Sequence, residues 1–293
     1  MLQVVKKYFC ATLFLLLLCG CDKVDFKGFI MPTGDVVNSR FEQSLNMHSG
    51  NPLASVDAAE SYTFYVCTDP HVSDGSKNIK TFATLLRGDD AASFGVVLGD
   101  CIDKRGSMPL YRDAIAFDAE VQQCDKPVFS AIGNHDLYFS GWDDFKKFIG
   151  PSVYYFEVTH TSGKDVFIIL DSASGTHGHK QLEWLRKFLA AHRNEYRHCV
   201  VVTHTNMFYT DNSQTTSGNI PIEESLSLAD LFEKHRVTLV LQGHDHYRED
   251  IYVGSVRYTI VGAISDNHTD TPAEFLRVDV SHDGVEYEWY LIR

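Results

Sequence analysis

The chain has 293 residues, of which 44% are hydrophobic and 22% charged, with a formal net charge of −13. That composition is ordinary for a globular protein and suits one large domain rather than a small stapled module. No basic stripe offers a footprint for nucleic acid, so a polyanionic partner is not expected; a small anion can still approach, because bulk charge is screened within about 8 Å at physiological salt.

The first twenty residues read as an export signal. Lys6 and Lys7 form a basic start and Phe9 to Leu18 a short apolar run, well short of the roughly 20 residues a membrane span needs. Leu18-Cys19-Gly20-Cys21 then resembles a bacterial lipobox. It implies cleavage before Cys21, lipidation of that residue, and an exported lipoprotein facing the periplasm or the cell surface. Residues 21–60 read as a tether and lead-in, broken by Pro32, Gly34, Gly50 and Pro52, with room for one short edge strand. Residues 61–293 read as the folded domain.

From Ser61 strand and helix alternate. Tyr62 to Thr68 predicts a strand, and Ile79, Phe82, Leu85 and Leu86 mark one helical face. Phe94 to Leu98 predicts a strand, Pro109 a helix start, and Ile115, Phe117 and Val121 its continuation. Val128 to Ile132 reads as a strand, Asp143 to Phe148 as a short helix, and Val166 to Leu170 as a strand. Leu182, Leu185 and Leu189 stripe another helix before the strand Cys199 to Val202. Leu226 to Phe232 is helical and Val237 to Leu241 a strand. After Asp250, Ile251 to Val253, Val256 to Val261, Phe275 to Val280 and Val285 to Ile292 read as consecutive antiparallel strands. The fold expected is α/β: two mixed sheets packed together and flanked by helices, a four-layer α/β/β/α sandwich.

Cys67, Cys101, Cys124 and Cys199 show no CxxC spacing and read as buried core residues rather than a thiolate site. His177, His179, His192, His198 and His235 read as solvated surface. Met207, Phe208 and Tyr209 read equally well as a cleft wall or as packing, Asp266, Asn267 and His268 as loop residues, and Trp184 as core.

The strand ends carry the chemistry. Asp69-Pro70-His71, Gly99-Asp100, Gly133-Asn134-His135-Asp136, Thr203-His204 and Gly243-His244-Asp245-His246 each follow a strand-like run. This spacing predicts an Asp/His/Asn set delivered to the carboxyl edge of one sheet, where open α/β folds place ligands. Asp69 and His71 lie two apart, so an extended segment would turn both side chains the same way, and His244 and His246 repeat that spacing. Oxygen and imidazole donors of this kind suit hard or borderline cations, and a two-metal site needs a carboxylate able to bridge. One such pair alone is usually a turn; their repetition at successive strand ends points to a metal-dependent hydrolase.

In that order the blocks resemble the calcineurin-like metallophosphoesterase superfamily, whose pattern is D-x-H, G-D-x-x-D, G-N-H-[DE], a lone His after a strand, and G-H-x-H. The stretch Gly175 to Leu185 also resembles the helix before the lone-His strand in phosphodiesterase-like members. The resemblance implies a first metal ion held by Asp69, His71 and His246, a second held by Asn134, His204 and His244, and Asp100 bridging them. It implies two divalent ions drawn from Mn, Fe and Zn, and a bridging hydroxide that attacks the phosphorus of a small phosphomonoester or phosphodiester. His135 would protonate the leaving oxygen or stabilise charge there, oriented by Asp136, and Asp103 would hold a ligand in place from behind. Protein Ser/Thr phosphatases of the superfamily carry Arg after the second acid, where this chain has Lys104 and then Arg105. Purple acid phosphatases carry Tyr at the position of Asp103, and lipid A pathway enzymes replace the equivalent of His135 by Arg. The alternative from another class is a surface binding lipoprotein that keeps the metal fold without turnover.

Overall fold

Strand β2 (Tyr62–Cys67) is buried at every position, so both its faces need cover, and the fold supplies a second sheet on one side and helices on the other. The computed structural model describes residues 33–115, 126–208, 220–267 and 272–293. The export signal, Cys21, Phe117, Val121, Cys124, Tyr209 and His268 lie outside the described residues.

In chain order the elements are α1 (Thr33–His48), β1 (Ser55–Asp57), β2, α2 (Asn78–Gly88), β3 (Ala92–Val97), α3 (Met108–Ile115), β4 (Val128–Ser130), a 3-10 segment (His135–Ser140), α4 (Trp142–Phe148), β5 (Tyr154–His160) and β6 (Gly163–Ile169). There follow α5 (His179–His192), β7 (Cys199–Val202), α6 (Ile222–Lys234), β8 (Leu239–Gln242), β9 (Glu249–Val253), β10 (Val256–Ile260), β11 (Glu274–Val280) and β12 (Val285–Leu291). One sheet runs β1-β5-β6-β7-β8-β10-β9 and the other β12-β11-β2-β3-β4. Both are mixed, so the four-layer α/β/β/α sandwich expected from the sequence is the fold observed. Between the sheets lies an aromatic core. Phe94 stacks on Phe64 at 5.0 Å and meets Phe167 edge-on at 5.1 Å, while Phe129 and Phe156 stack at 3.7 Å. Two further apolar layers fill the outer faces: Ile79, Phe82 and Leu86 of α2 lie on the five-stranded sheet, and Leu185, Leu189 of α5 and Leu228, Phe232 of α6 on the seven-stranded one.

Three expectations change. The C-terminal strands are not a continuous antiparallel run: β9 and β10 pair with each other, but β10 joins β8 in parallel, while β11 pairs antiparallel with β2 and β12. The chain crosses from one sheet to the other after Ile260. Strand β5 was not expected. Six of its seven residues are buried, so Tyr-Tyr-Phe-Glu-Val-Thr-His shows no clean alternation. Within the segment read as tether and lead-in, β1 supplies the short edge strand, pairing parallel with β5, but residues 33–48 form helix α1.

Helix α1 is held by polar as well as apolar contacts, which hides its period. Val37 and Phe41 are buried, and so are Asn38, Arg40 and Ser44. The Arg40 guanidinium donates twice to Asp171, at 2.7 and 2.9 Å, and once to Ser174. Asn38 Oδ1 accepts the Lys180 amide at the start of α5. Ser44 Oγ accepts the Ser152 amide. No helix among the described residues is long and apolar enough to cross a membrane.

Candidate metal centre

The ligand-bearing residues come from both sheets, not one. Asp69, Asp100 and Asn134 follow β2, β3 and β4 of the five-stranded sheet, and His204 and His244 follow β7 and β8 of the seven-stranded sheet. They meet at one end of the seam between the layers. Asp69, His71 and His246 each present a donor atom within 4.8 Å of the others, and Asp100, His204 and His244 do the same. Asn134 Oδ1 lies 3.2 Å from His204 Nε2. Asp100 faces both groups: Oδ1 is 3.4 Å from His204 Nε2 and Oδ2 is 3.8 Å from His71 Nε2.

Local backbone geometry differs from the pleat that the i, i+2 spacing suggested. Asp69, His71, Asp100, His244 and His246 all have positive φ, between 42° and 72°. Non-glycine residues rarely occupy this left-handed region, Asp and His more readily than most, and such strain gathers at functional sites. The side chains therefore converge through tight left-handed turns at the strand ends. Glycines permit the close approach. A Cβ on Gly133 would lie 2.1 Å from Asp100 Oδ1 and 2.2 Å from its backbone nitrogen, and one on Gly243 would lie 2.0 Å from Thr68 Oγ1.

Burial opposes ionised Asp69, yet the His246 imidazole beside it, with His204 and His71, holds its carboxyl well below the usual range. Asp100 is lowered in the same way, with His204 its strongest favourable neighbour. Burial pushes the imidazoles of His71 and His244 down, to about 3 and about 4. Burial also disfavours the His204 cation, but the Asp100 contact outweighs it and lifts this imidazole to about 9. The centre thus gathers anionic oxygens and imidazoles without a lysine or arginine; among the described residues, the ion partners of Asp69 and Asp100 are all histidines. His244 Nε2 is buried with no hydrogen-bond partner. His204 Nδ1 lies 3.0 Å from the Leu98 carbonyl, which directs Nε2 inward. Buried carboxylates, an orphaned imidazole nitrogen and an O/N donor set fit hard or borderline cations.

The other predicted residues fall as follows. His135 borders the centre, its Nε2 3.9 Å from Asp100 Oδ2 and its ring 4.5 Å from that of His71. Asp136 does not orient that ring. It is fully buried and accepts the amides of Gly133 at 2.8 Å and Ile102 at 3.2 Å, bracing two loops. Burial, with Asp100 nearby, raises its carboxyl to about 7. The acid near His135 is Asp103, which clusters with His71 and His135 within 4.8 Å. Tyr138 carried no sequence signal beyond its place after the Gly-Asn-His block. Its hydroxyl accepts Asn134 Nδ2 at 3.1 Å and its ring lies 4.7 Å from that of His135.

Of the histidines read as surface, His179 and His192 are exposed, but His177 and His198 are buried. Met207 is packed inside, and Phe208 meets Tyr258 edge-on at 5.0 Å, so both act as packing. Asp266 caps the start of α2 by accepting the amides of Lys77 and Asn78. Trp184 is partly buried and packs on Phe41 and Phe188. Cys67, Cys101 and Cys199 are buried free thiols.

Two packed sheets whose strand ends converge on paired His/Asp groups define the scaffold of a metal-dependent phosphoesterase. The chain belongs to the calcineurin-like phosphoesterase family, which matches residues 62–248. Among curated proteins no match is found. Solved structures of similar fold include GAP50, the anchor in the inner membrane complex of Plasmodium, with 16% identity, a TM-score of 0.61, and coverage of 79% of this chain and 84% of that one. The purple acid phosphatase PPD1 of yellow lupin is 16% identical with a TM-score of 0.58, over 80% of this chain and 52% of that chain. A dimetal phosphatase of Danio rerio is 15% identical with a TM-score of 0.56, over 79% of this chain and 99% of that chain.

Adding one methyl group at Gly133 tests the tight seam. Gly133→Ala should displace Asp100 and lower hydrolytic activity at least about 100-fold, the scale expected when a reacting centre shifts by an ångström, while circular dichroism stays native. Activity within twofold of the native enzyme would contradict the close packing.

Proposed function

We propose that this phosphoesterase is dinuclear and hydrolyses a small phosphomonoester or phosphodiester outside the cytoplasm, tethered to the membrane by lipid at Cys21. The observation that carries the dinuclear reading is Asp100, one carboxylate facing two separate donor groups. In this reading Asp69, His71 and His246 hold one ion, and Asn134, His204 and His244 hold the other. Asp100 is shared between them. When bound, two Mn, Fe or Zn ions supply Lewis acidity toward phosphate oxygens and a water acidic enough to act as a nucleophile near neutral pH.

The chain's own groups do the rest. With two divalent ions held there, the charge of Asp69 and Asp100 would be exceeded and the centre would attract a phosphate although the protein as a whole is acidic. His135 Nε2, the ring nitrogen on the Asp100 side, gives a proton to the departing ester oxygen. Asp103, close to that ring, takes the orienting role that the resemblance implied for Asp136. Tyr138 holds the amide of Asn134 so that Oδ1 faces His204.

Hydrolysis of bis-p-nitrophenyl phosphate and p-nitrophenyl phosphate after chelation and metal-by-metal reconstitution tests the activity. Chelation should abolish turnover, and His135→Ala should retain bound metal yet lose about 10²–10⁴-fold in kcat, most on poor leaving groups. No turnover with any added metal would favour a binding protein that keeps the fold without catalysis. Loading should also be linked to pH. His204 ligates only as the neutral imidazole, and in the metal-free protein its proton is retained up to about 9. Near neutral pH, uptake must therefore release that proton, and apparent affinity rises as pH climbs toward that value. Calorimetry in buffers of different ionisation enthalpy should find release of about one proton or more, and zero release would contradict the ligand assignment. The tether has its own check: Cys21→Ser should move the protein from the membrane fraction of expressing cells to the soluble one, and an unchanged membrane fraction would refute lipidation.

A further inference from the structure

Helix α1 lies within the segment that reads as a tether, yet its buried arginine leads to the metal centre. Arg40 is 2% exposed and grips Asp171, itself 0% exposed, through two guanidinium hydrogen bonds. Asp171 follows β6 and is held on its other sides too. Its amide donates to Gln181 Oε1 at 2.8 Å, and its carbonyl accepts Gln181 Nε2 at 2.9 Å. The next residue, Ser172, is fully buried, and its hydroxyl oxygen accepts the amides of His204 at 3.2 Å and Thr205 at 2.8 Å. Thr203 Oγ1 donates to the same oxygen at 2.8 Å, and the Ser172 carbonyl accepts Thr205 Oγ1 at 2.9 Å. One short residue therefore fixes the turn on both sides of His204.

We propose that Ser172 is a positioning residue for His204, and that Arg40 of α1, through Asp171, holds Ser172 in place. The proposal rests on the reading of His204 as a metal ligand for its functional consequence, but the geometric claim stands without it. A serine at 172 matches the task. Its hydroxyl is small enough to sit between two strand ends and can accept two backbone amides that an alanine would leave buried and unpaired. The Arg40 fork gives what a lysine cannot, two parallel bonds that fix the rotation of the Asp171 carboxylate. His204 Nδ1 meets the Leu98 carbonyl after β3, so the five-stranded sheet holds the ring while Ser172, after β6, holds the backbone. Without the Ser172 hydroxyl the Gly243 amide still donates to the His204 carbonyl and the Thr203 amide to that of Leu241, but the amides of His204 and Thr205 lose their acceptor.

The test uses Ser172→Ala, Ser172→Thr and Arg40→Lys in the full chain. In the metal-free protein, amide hydrogen exchange at His204 and Thr205 should speed up at least tenfold in Ser172→Ala and by less in Arg40→Lys, with core amides such as those of Phe94 and Phe167 unchanged. Titration with Mn²⁺ should show one ion bound as before and the other weakened about 10–100-fold, the usual effect of losing a group behind a ligand. Ser172→Thr, which retains the hydroxyl, should recover both readouts. Unchanged exchange at His204 and Thr205 overturns the proposal whatever the metal does. Uniform acceleration across the core, or equal loss of both ions with a lowered melting temperature, also overturns it by reducing Ser172 to a fold determinant. If the native protein binds no Mn²⁺, the metal reading fails instead, and the exchange data alone decide the positioning claim.

Discussion

Three carboxylates, Asp69, Asp100 and Asp136, are enclosed where the two sheets meet, and each accepts a backbone amide from a loop other than its own. Asp69 Oδ2 accepts the amide of His244 at 2.9 Å, Asp100 Oδ1 that of His135 at 2.8 Å, and Asp136 those of Gly133 and Ile102. Excluding a carboxylate from water is costly unless it gains hydrogen bonds or opposite charge. Here the amides meet part of that cost, and in doing so they cross-link the strand ends. The remaining oxygens face imidazoles, so the same groups that assemble the loops leave an anionic hollow suited to cations. Assembly of the site and assembly of this end of the fold are one event.

Much of the centre was legible because its residues are punctuation. Asp100, Asn134 and His244 each follow a glycine at the end of an apolar run, and the glycine is required by the closeness of the neighbouring strand end, as at Gly133 and Gly243. What the motif could not convey is the shape of the turn. Asp-Pro-His looks extended on paper, whereas both flanking residues adopt the left-handed conformation. Nor could adjacency in sequence reveal which acid serves His135. Asp136 is its neighbour in the chain but faces backbone amides, while Asp103, more than thirty residues earlier, is its neighbour in space.

The missed elements share a physical cause: their buried faces are not apolar in the usual rhythm. Helix α1 buries Asn38, Arg40 and Ser44 beside Val37 and Phe41, so the hydrophobic period that announces a helix is interrupted by polar groups whose partners lie far along the chain. Strand β5 is buried on both faces and contains Glu157, which is satisfied by Lys164 and by the hydroxyl of Tyr196. The division of the last four strands between two sheets depends on which partner edge is open, and β10 finds β8 while β11 finds β2. Local pattern carries no record of that choice.

The division of ligands between the sheets has a mechanical consequence. A cation gripped by Asp100 and His204 at once would rivet one layer to the other at the end of the sandwich where these strands stop. Any species that binds only the assembled state adds its binding free energy to that state. Such a protein would hold its layers together most firmly when loaded, and starvation for metal would loosen the same edge on which turnover depends.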